Sequence, residues 1–373
     1  MFVRSLQPII ESRFHQGKTI LILGPRQVGK TTLINACLAN KNTLFLDGDD
    51  PHVQRVLHQA GYSELARLIG SFKWVFIDEA QRIDRIGLLA KIMHDQFPDV
   101  QLLISGSSAL EISQSTQEPL TGRKFQYTLY PISWGEFEAK AGYLEAEAQL
   151  EERLIMGSYP DVLNHRTDAH EILQQLTESY LYRDVLSLTG IRRPELLDRL
   201  VKALALQLGS EVSYNELSQF LGIDKATVAK YIDLLEQAFI VFRLPSLNRN
   251  PRNEIKNSRK IYFWDNGIRN MVINNLNPLN LRSDKGALWE NFLIAERLKM
   301  NAYERTPMSP YFWRTVRQQE IDYVEDRGGQ LMAFEFKWEA KRPARTPKPF
   351  LEHYGTTVTT IDRSNFRSFI LSH

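Results

Sequence analysis

The chain has 373 residues, 43% hydrophobic and 24% charged, with a formal net charge of +2, which describes an ordinary globular protein with room for more than one core. One cysteine, Cys37, excludes an internal disulfide framework, no Cys/His spacing offers a structural zinc site, and no run approaches the roughly 18 apolar residues of a membrane span. Arg4 and Glu11 interrupt any leader-like apolar run, so a cytoplasmic protein without a membrane partner is expected. Charge is uneven: residues 1–190 carry 18 basic and 23 acidic groups, and residues 191–373 carry 28 and 21. The first half is therefore acidic, and the mildly basic remainder permits a DNA partner without requiring one.

Apolar runs at Thr19–Leu23, Thr43–Leu46, Trp74–Ile77, Leu102–Ser105 and Phe125–Leu129 alternate with longer helical or polar stretches. That alternation predicts an α/β domain over residues 1–135 with a parallel sheet covered on both faces. Immediately after the first run comes GPRQVGKTT, which fits G-x-x-x-x-G-K-[ST] with Gly24, Gly29, Lys30 and Thr31 in the fixed places, and Leu33 to Leu38 continues as helix. Strand, glycine-rich loop and helix in that order are what a phosphate-binding loop needs, because backbone amides must close round a polyphosphate without a Cβ in the way. Gly24, Pro25, Arg26, Gln27, Val28, Gly29, Lys30, Thr31 and Thr32 are the predicted nucleotide contacts, with Lys30 on the β- and γ-phosphates and Thr31 on Mg²⁺. Cys37 lies on the following helix and reads as a small packing residue.

The third run ends in Asp78-Glu79. At the carboxyl end of a buried strand Asp78 would join Thr31 in the Mg²⁺ shell, and Glu79 would orient and deprotonate an attacking water. Ser105-Gly106-Ser107-Ser108 follows the fourth run, and Ser107 is the predicted hydroxyl facing the γ-phosphate or the water. Arg123, in Leu120-Thr121-Gly122-Arg123, is the predicted catalytic arginine, reaching the γ-phosphate of its own or a neighbouring subunit in a homo-oligomer, with Arg26 as its competitor.

The strings GPRQVGKTTL, FIDEAQRI, ISGSS and LTGRKFQYTLYPISWGEF resemble the AAA-type ATP-binding proteins of bacteria and archaea that carry a C-terminal domain of unknown function. The resemblance covers essentially the whole chain and places it in the branch of P-loop ATPases related to the archaeal and signal-transducing NTPases. It implies ATP as the nucleotide, a sheet order 5-1-4-3-2, and a lid over residues 136–190. In Gly157-Ser158-Tyr159-Pro160 of that lid, it implies contacts from Tyr159 or Pro160 with the adenine, although one residue more separates glycine from proline than in the related motif. Further along, Tyr180, Arg183 and Asp184 read as a packing helix, with Arg183 and Asp184 as an interdomain ion pair.

Residues 191–275 read as a winged helix. Helical stretches at Glu195–Leu208, Ser213–Leu221 and Asp224–Phe239, with Gly222-Ile223 as the turn, fit a helix-turn-helix, and β-rich runs at Ile240–Leu244 and Lys260–Trp264 follow. The segment between those runs holds Arg249, Arg252, Lys256 and Arg259 against Glu254, a plausible phosphate-gripping wing. Against that, Asp224, Asp233 and Glu236 dilute Lys225 and Lys230 on the third helix, so DNA contact competes with use as a rigid joint.

Residues 276–373 combine an amphipathic helix, Gly286–Met300, with strand-like runs at Tyr311–Thr315, Glu320–Val324 and Leu331–Trp338, the last two joined at Gly328-Gly329. Glu335 and Lys337 share a strand face. This constellation resembles the PD-(D/E)XK nuclease core, onto which Glu290, Asp322, Glu335 and Lys337 map in order, with Ile321 where a proline is usual. The resemblance implies a restriction-endonuclease-like α/β domain with a second divalent metal, Mg²⁺ or Mn²⁺, on Glu290, Asp322 and Glu335 beside Lys337. Two readings of the whole chain follow. In the first, a Mg²⁺-dependent ATPase drives a winged helix and nuclease-like module on DNA. In the second, an ATP-controlled switch uses an inert C-terminal domain to dock a protein partner.

Overall fold

The computed structural model describes the chain except residues 59, 108–119, 180–192, 248–258, 316, 341 and 373. Tyr180, Arg183 and Asp184 of the expected lid, Ser108, and Arg249, Arg252 and Lys256 of the expected wing lie outside the described residues. Two compact units form, one built chiefly on Met1–Ile132 and the other chiefly on the chain from Ser133 onward.

In the first unit, β1 (Thr19–Leu23), β2 (Thr43–Asp47), β3 (Trp74–Asp78), β4 (Gln101–Gly106) and β5 (Lys124–Thr128) make a parallel sheet in the order β2-β3-β4-β1-β5, the order 5-1-4-3-2 read from the other edge. The central strands β1 and β4 are buried along their whole length, which is why TILIL and LLIS read as unbroken apolar runs rather than alternating ones. The edge strands β2 and β5 are only partly covered and carry the more mixed sequences TLFLD and KFQYT. Leu21, Leu23, Val75, Ile77, Leu102 and Ile104 pack on one face against Leu65, Ile69, Leu89 and Met93 from the helices. Cys37 is buried, and burial chiefly, with Glu11 nearby, pushes its thiol up to about 12, as befits a packing residue rather than a nucleophile.

In the second unit, helices Pro194–Leu206, Tyr214–Leu221 and Lys225–Gln237 precede an antiparallel ribbon of β6 (Val241–Pro245) and β7 (Arg259–Phe263). Ser213 accepts the amide of Glu216 at the start of the second helix, and Gly222 at φ 66° ends it, so the turn sits where the glycine was read. Two of the acids that dilute the third helix are internally engaged: Arg243 donates to Asp233 at 2.5 Å and to Glu236 at 2.6 Å.

The C-terminal part opens with helix Lys285–Glu304 and a sheet of β8 (Ser309–Arg314), β9 (Glu320–Arg327), β10 (Gln330–Phe336) and β11 (Val358–Ile361) in the order β11-β10-β9-β8. β8, β9 and β10 are antiparallel neighbours, and β11, preceded by helix Lys348–Tyr354, returns parallel to β10. Gly328 at φ 63° and Gly329 at φ 93° make the two-residue hairpin between β9 and β10. The ribbon is stitched to this sheet, since Leu247 donates its amide to the Phe312 carbonyl at 2.7 Å. Among the described residues, no helix is long and apolar enough to cross a membrane.

Candidate functional site

The register of the first sheet determines what can meet at its carboxyl edge. Leu23 of β1 lies beside Gly106 of β4 and Thr128 of β5, so the loop at Gly24 emerges next to Ser107. Asp78 ends β3 on the same edge, beside Asp47 of β2. The loop, the carboxylate pair and the serine-rich turn therefore converge, as strand order and motif position together require.

Gly24 sits at φ 151°, and a Cβ there would lie 2.1 Å from the Leu129 carbonyl oxygen, so only glycine lets the chain leave β1 past the end of β5. Gln27 at φ 59° and Gly29 at φ 90° turn the backbone over before the helix Lys30–Cys37 begins. The Lys30 ammonium is buried and donates to the carbonyls of Gly24 at 3.0 Å and Pro25 at 2.9 Å, which folds the side chain back across the loop. Asp78, 6% exposed, accepts from the Thr31 hydroxyl at 2.6 Å on one carboxylate oxygen and from the Ser105 hydroxyl on the other. Hydroxyls that hold a carboxylate at the mouth of a phosphate loop are a donor set suited to magnesium.

Glu79 is at φ 44°, a left-handed conformation uncommon for a side chain of its size. Its carboxylate accepts from the Gln81 amide, which also donates to the Ser107 hydroxyl at 3.0 Å, and Gln81 in turn accepts from the Ser107 backbone amide at 3.3 Å. Glu79 and Ser107 are thus joined through a residue that the sequence reading passed over.

Three further residues shape this edge without having been singled out. Ser105 rather than Ser107 binds Asp78. Gly48 abuts the turn after β3, where a Cβ would meet the Glu79 carbonyl oxygen at 2.5 Å. Arg4, buried, donates to the Val28 carbonyl and to the Tyr130 carbonyl, each at 2.6 Å, bracing the loop against the chain beyond β5. The glycine in LDGDD and the glutamine in DEAQ were legible as letters, but nothing in the sequence pairs Arg4 with residue 130.

As an arginine for the loop of its own chain, Arg123 is corrected. It precedes Lys124, which pairs with Thr19 at the start of β1, and it binds Asp95 at 2.9 Å. β1 runs from there to the loop, so Arg123 lies at the opposite edge of the sheet, about 16 Å away at ~3.3 Å per residue, and does not serve the loop of its own chain. Arg26 stays half-buried within the loop. In the second unit, Pro160 starts the helix Pro160–Asn164, and the preceding glycine is fitted to Asp265: Ser158 donates its amide to that carboxylate at 2.7 Å, and a Cβ on Gly157 would clash with it.

The C-terminal carboxylates also come together, in company the sequence did not announce. Glu290 accepts from the Lys260 ammonium at 3.0 Å and from the Tyr262 hydroxyl at 2.5 Å, both from β7. Lys260, 1% exposed, also pairs with Glu320. Asp322 accepts the Phe336 amide at 2.7 Å, and Glu335 is paired with Lys337 at 2.7 Å. Burial, with Glu290 and Glu335 close by, drives the Asp322 carboxyl well above the usual carboxylate range. Burial works against the Lys260 ammonium, but Glu290 and Glu320 outweigh it and hold its pKa above the ordinary lysine value. Among the described residues, no group of three or more acids, histidines or cysteines is arranged to hold a metal ion. The second divalent metal expected on Glu290, Asp322 and Glu335 is therefore not supported, and one oxygen of each of these carboxylates is already engaged, by ammonium and phenol donors at Glu290, a backbone amide at Asp322 and the Lys337 ammonium at Glu335.

With this geometry in place, residues 16–138 match the profile of an AAA domain. They form an AAA-type, ATPase-like domain. Residues 147–279 and 285–366 match two domains of unknown function, DUF8612 and DUF4143. The chain is similar to an uncharacterized protein of Mycobacterium tuberculosis, 27% identical over 330 residues that span 87% of this chain and 71% of that one. An uncharacterized protein of Haemophilus influenzae is 24% identical over 276 residues, 68% of each chain. Among solved structures, a Walker-type ATPase of Pyrococcus abyssi has a TM-score of 0.49 at 16% identity, covering 74% of this chain and 96% of that one. The match to the AAA domain takes in β1 through β5 and every residue described above at the carboxyl edge except Arg4.

Proposed function

We propose that the chain is a Mg²⁺-dependent ATPase in which the AAA domain binds and hydrolyses ATP and passes its nucleotide state to the rest of the molecule. The observation that carries this is the Thr31 hydroxyl at 2.6 Å from the Asp78 carboxylate at the mouth of the Gly24–Thr32 loop. Lys30 would swing from the Gly24 and Pro25 carbonyls to the phosphates, and Thr31 and Asp78 would hold the magnesium, whose charge would offset that building on the phosphate oxygens. Glu79, steadied by Gln81, accepts the proton of the attacking water, and Ser107 contributes its hydroxyl beside it. Arg26 takes the place of Arg123 as the arginine of the same chain.

The remainder is read as a lid (136–190), a winged helix (191–275) and a nuclease-like domain (276–373) acting on DNA after the ATPase domain (1–135). Its support is the helix-turn-helix with a following ribbon, the β11-β10-β9-β8 sheet, and the basic balance of residues 191–373. A specific observation favours the second reading of the last domain, as an inert module that docks a protein partner: the carboxylates of Glu290 and Glu335 are already paired with lysines.

Purified chain with Mg²⁺ and ATP tests the main reading. Lys30→Ala should lose both ATP binding and turnover, whereas Glu79→Gln should keep binding and lose turnover. Wild type no faster than either variant would end the proposal. Plasmid nicking in Mg²⁺ or Mn²⁺ that disappears in Asp322→Ala and Lys337→Ala would restore the nuclease reading.

A further inference from the structure

The cluster at Glu290, Glu320, Asp322 and Glu335 is drawn from two separate parts of the second unit. Glu290 comes from the helix Lys285–Glu304, and Glu320, Asp322 and Glu335 come from β9 and β10. The cation that meets Glu290 and Glu320, Lys260, comes from β7 of the ribbon, on the other side of residue 275. Lys260 is held on a stiff support. It pairs with Leu244 across the ribbon and forms a bridge with Glu211, and its neighbour Tyr262 points its hydroxyl at the same Glu290 oxygen. Arg314 on β8 reaches Glu320 and Glu211, closing the ring of charges around the lysine.

A divalent ion would need two or three carboxylate oxygens turned to one point at ~2.0–2.6 Å, with no other cation there. Here the Glu290 and Glu320 oxygens already turn to an ammonium on a strand whose side-chain and backbone groups are fixed on several sides. A lysine with 1% exposure between two carboxylates does not leave without breaking both pairs and baring buried charge.

We infer that Lys260 is the resident cation of this carboxylate cluster: the ribbon supplies from within the chain the positive charge that a metal would otherwise bring. The cluster thereby joins the ribbon to the helix Lys285–Glu304 and to β9, and the C-terminal domain works without a divalent metal. This inference does not depend on ATP hydrolysis, and a failure of the ATPase assays leaves it standing.

The test is Mn²⁺ binding by the nucleotide-free, metal-stripped full chain, followed by electron paramagnetic resonance of the free ion. Any ion taken by the AAA domain is common to all variants and cancels. Wild type and Glu290→Gln should take up the same number of ions, and Lys260→Met should gain one, lost again in Lys260→Met/Glu290→Gln. If wild type binds one ion more than Glu290→Gln, the inference is overturned. It is overturned equally if a folded Lys260→Met gains none. Should Lys260→Met fail to fold, wild type against Glu290→Gln decides alone.

Discussion

Gln81 is the position where the structure makes its most specific kinetic statement. Its amide donates to the Glu79 carboxylate and to the Ser107 hydroxyl, and it takes the Ser107 backbone amide in return. Replacing it with leucine keeps the bulk and removes all three links. A hydrogen bond to a charged acceptor contributes about 1.5–3 kcal/mol, and each 1.36 kcal/mol of barrier is about tenfold in rate. Gln81→Leu should therefore lower kcat by roughly 10- to 100-fold if the proton acceptor is held chiefly by this amide. ATP affinity should move by less than about twofold, because among the described residues the hydrogen bonds of Gln81 go to Glu79 and Ser107 rather than to Lys30 or Thr31. Steady-state ATPase kinetics and calorimetric titration with ATP separate the two effects. On a Glu79→Gln background the leucine should add almost nothing, since the group it positions is already gone. Lost affinity with kcat intact, or full additivity with Glu79→Gln, would refute the positioning role.

Two stability predictions test the frame around the sites. Gly24→Ala should destabilise the first unit by about 3 kcal/mol through the clash with the Leu129 carbonyl, whereas Gly122→Ala, at φ 75° with nothing within 4 Å, should lose only about 1 kcal/mol. Urea midpoints at constant slope measure both. Asp284 lies between the buried guanidiniums of Arg269, at 2.5 Å, and Arg282, at 2.9 Å. Burial opposes its charge, but the two arginines outweigh it and hold the carboxyl down to about 2. The folded pKa is thus below the unfolded one, so the stabilisation is present above about pH 4 and is lost as pH falls toward 2. Asp284→Asn should lose on the order of 1–2 kcal/mol at pH 7, allowing for partial solvent screening, and the gap to wild type should narrow below pH 4. A gap that widens on acidification would show the sign to be wrong.

The parts of this molecule that were legible in the sequence are those encoded by neighbours along the chain. The unbroken apolar runs of β1, β3 and β4 follow from burial on both faces, and the loop from Gly24 to Thr31 follows from a strand, two glycines and a helix start within a dozen residues. The edge strands were legible too, though the sheet order came only through resemblance. Pairings across large sequence distance were not legible. Arg4 with Tyr130, and Lys260 with Glu290 and Glu320, obey no local period, and a basic residue in a strand looks the same whether it faces water or a buried carboxylate. Arg123 does not reach the loop of its own chain for a related reason: a charged residue just before a strand belongs to the strand's amino edge, and in a parallel sheet that is the edge away from the loops that bind nucleotide.

The two carboxylate clusters show why ligand type alone does not predict metal use. At Asp78 the partners are the hydroxyls of Thr31 and Ser105, neutral groups whose protons rotate and whose oxygens can share an incoming cation. At Glu290 and Glu320 the partner is an ammonium, which carries the same sign as a metal and cannot share the position with one. On the proposed reading, the same acidic residue types therefore give a site open to magnesium in the AAA domain and a closed one in the C-terminal domain. The identity of the donor facing each carboxylate, supplied from 47 residues away for Asp78 and from 30 for Glu290, makes the difference.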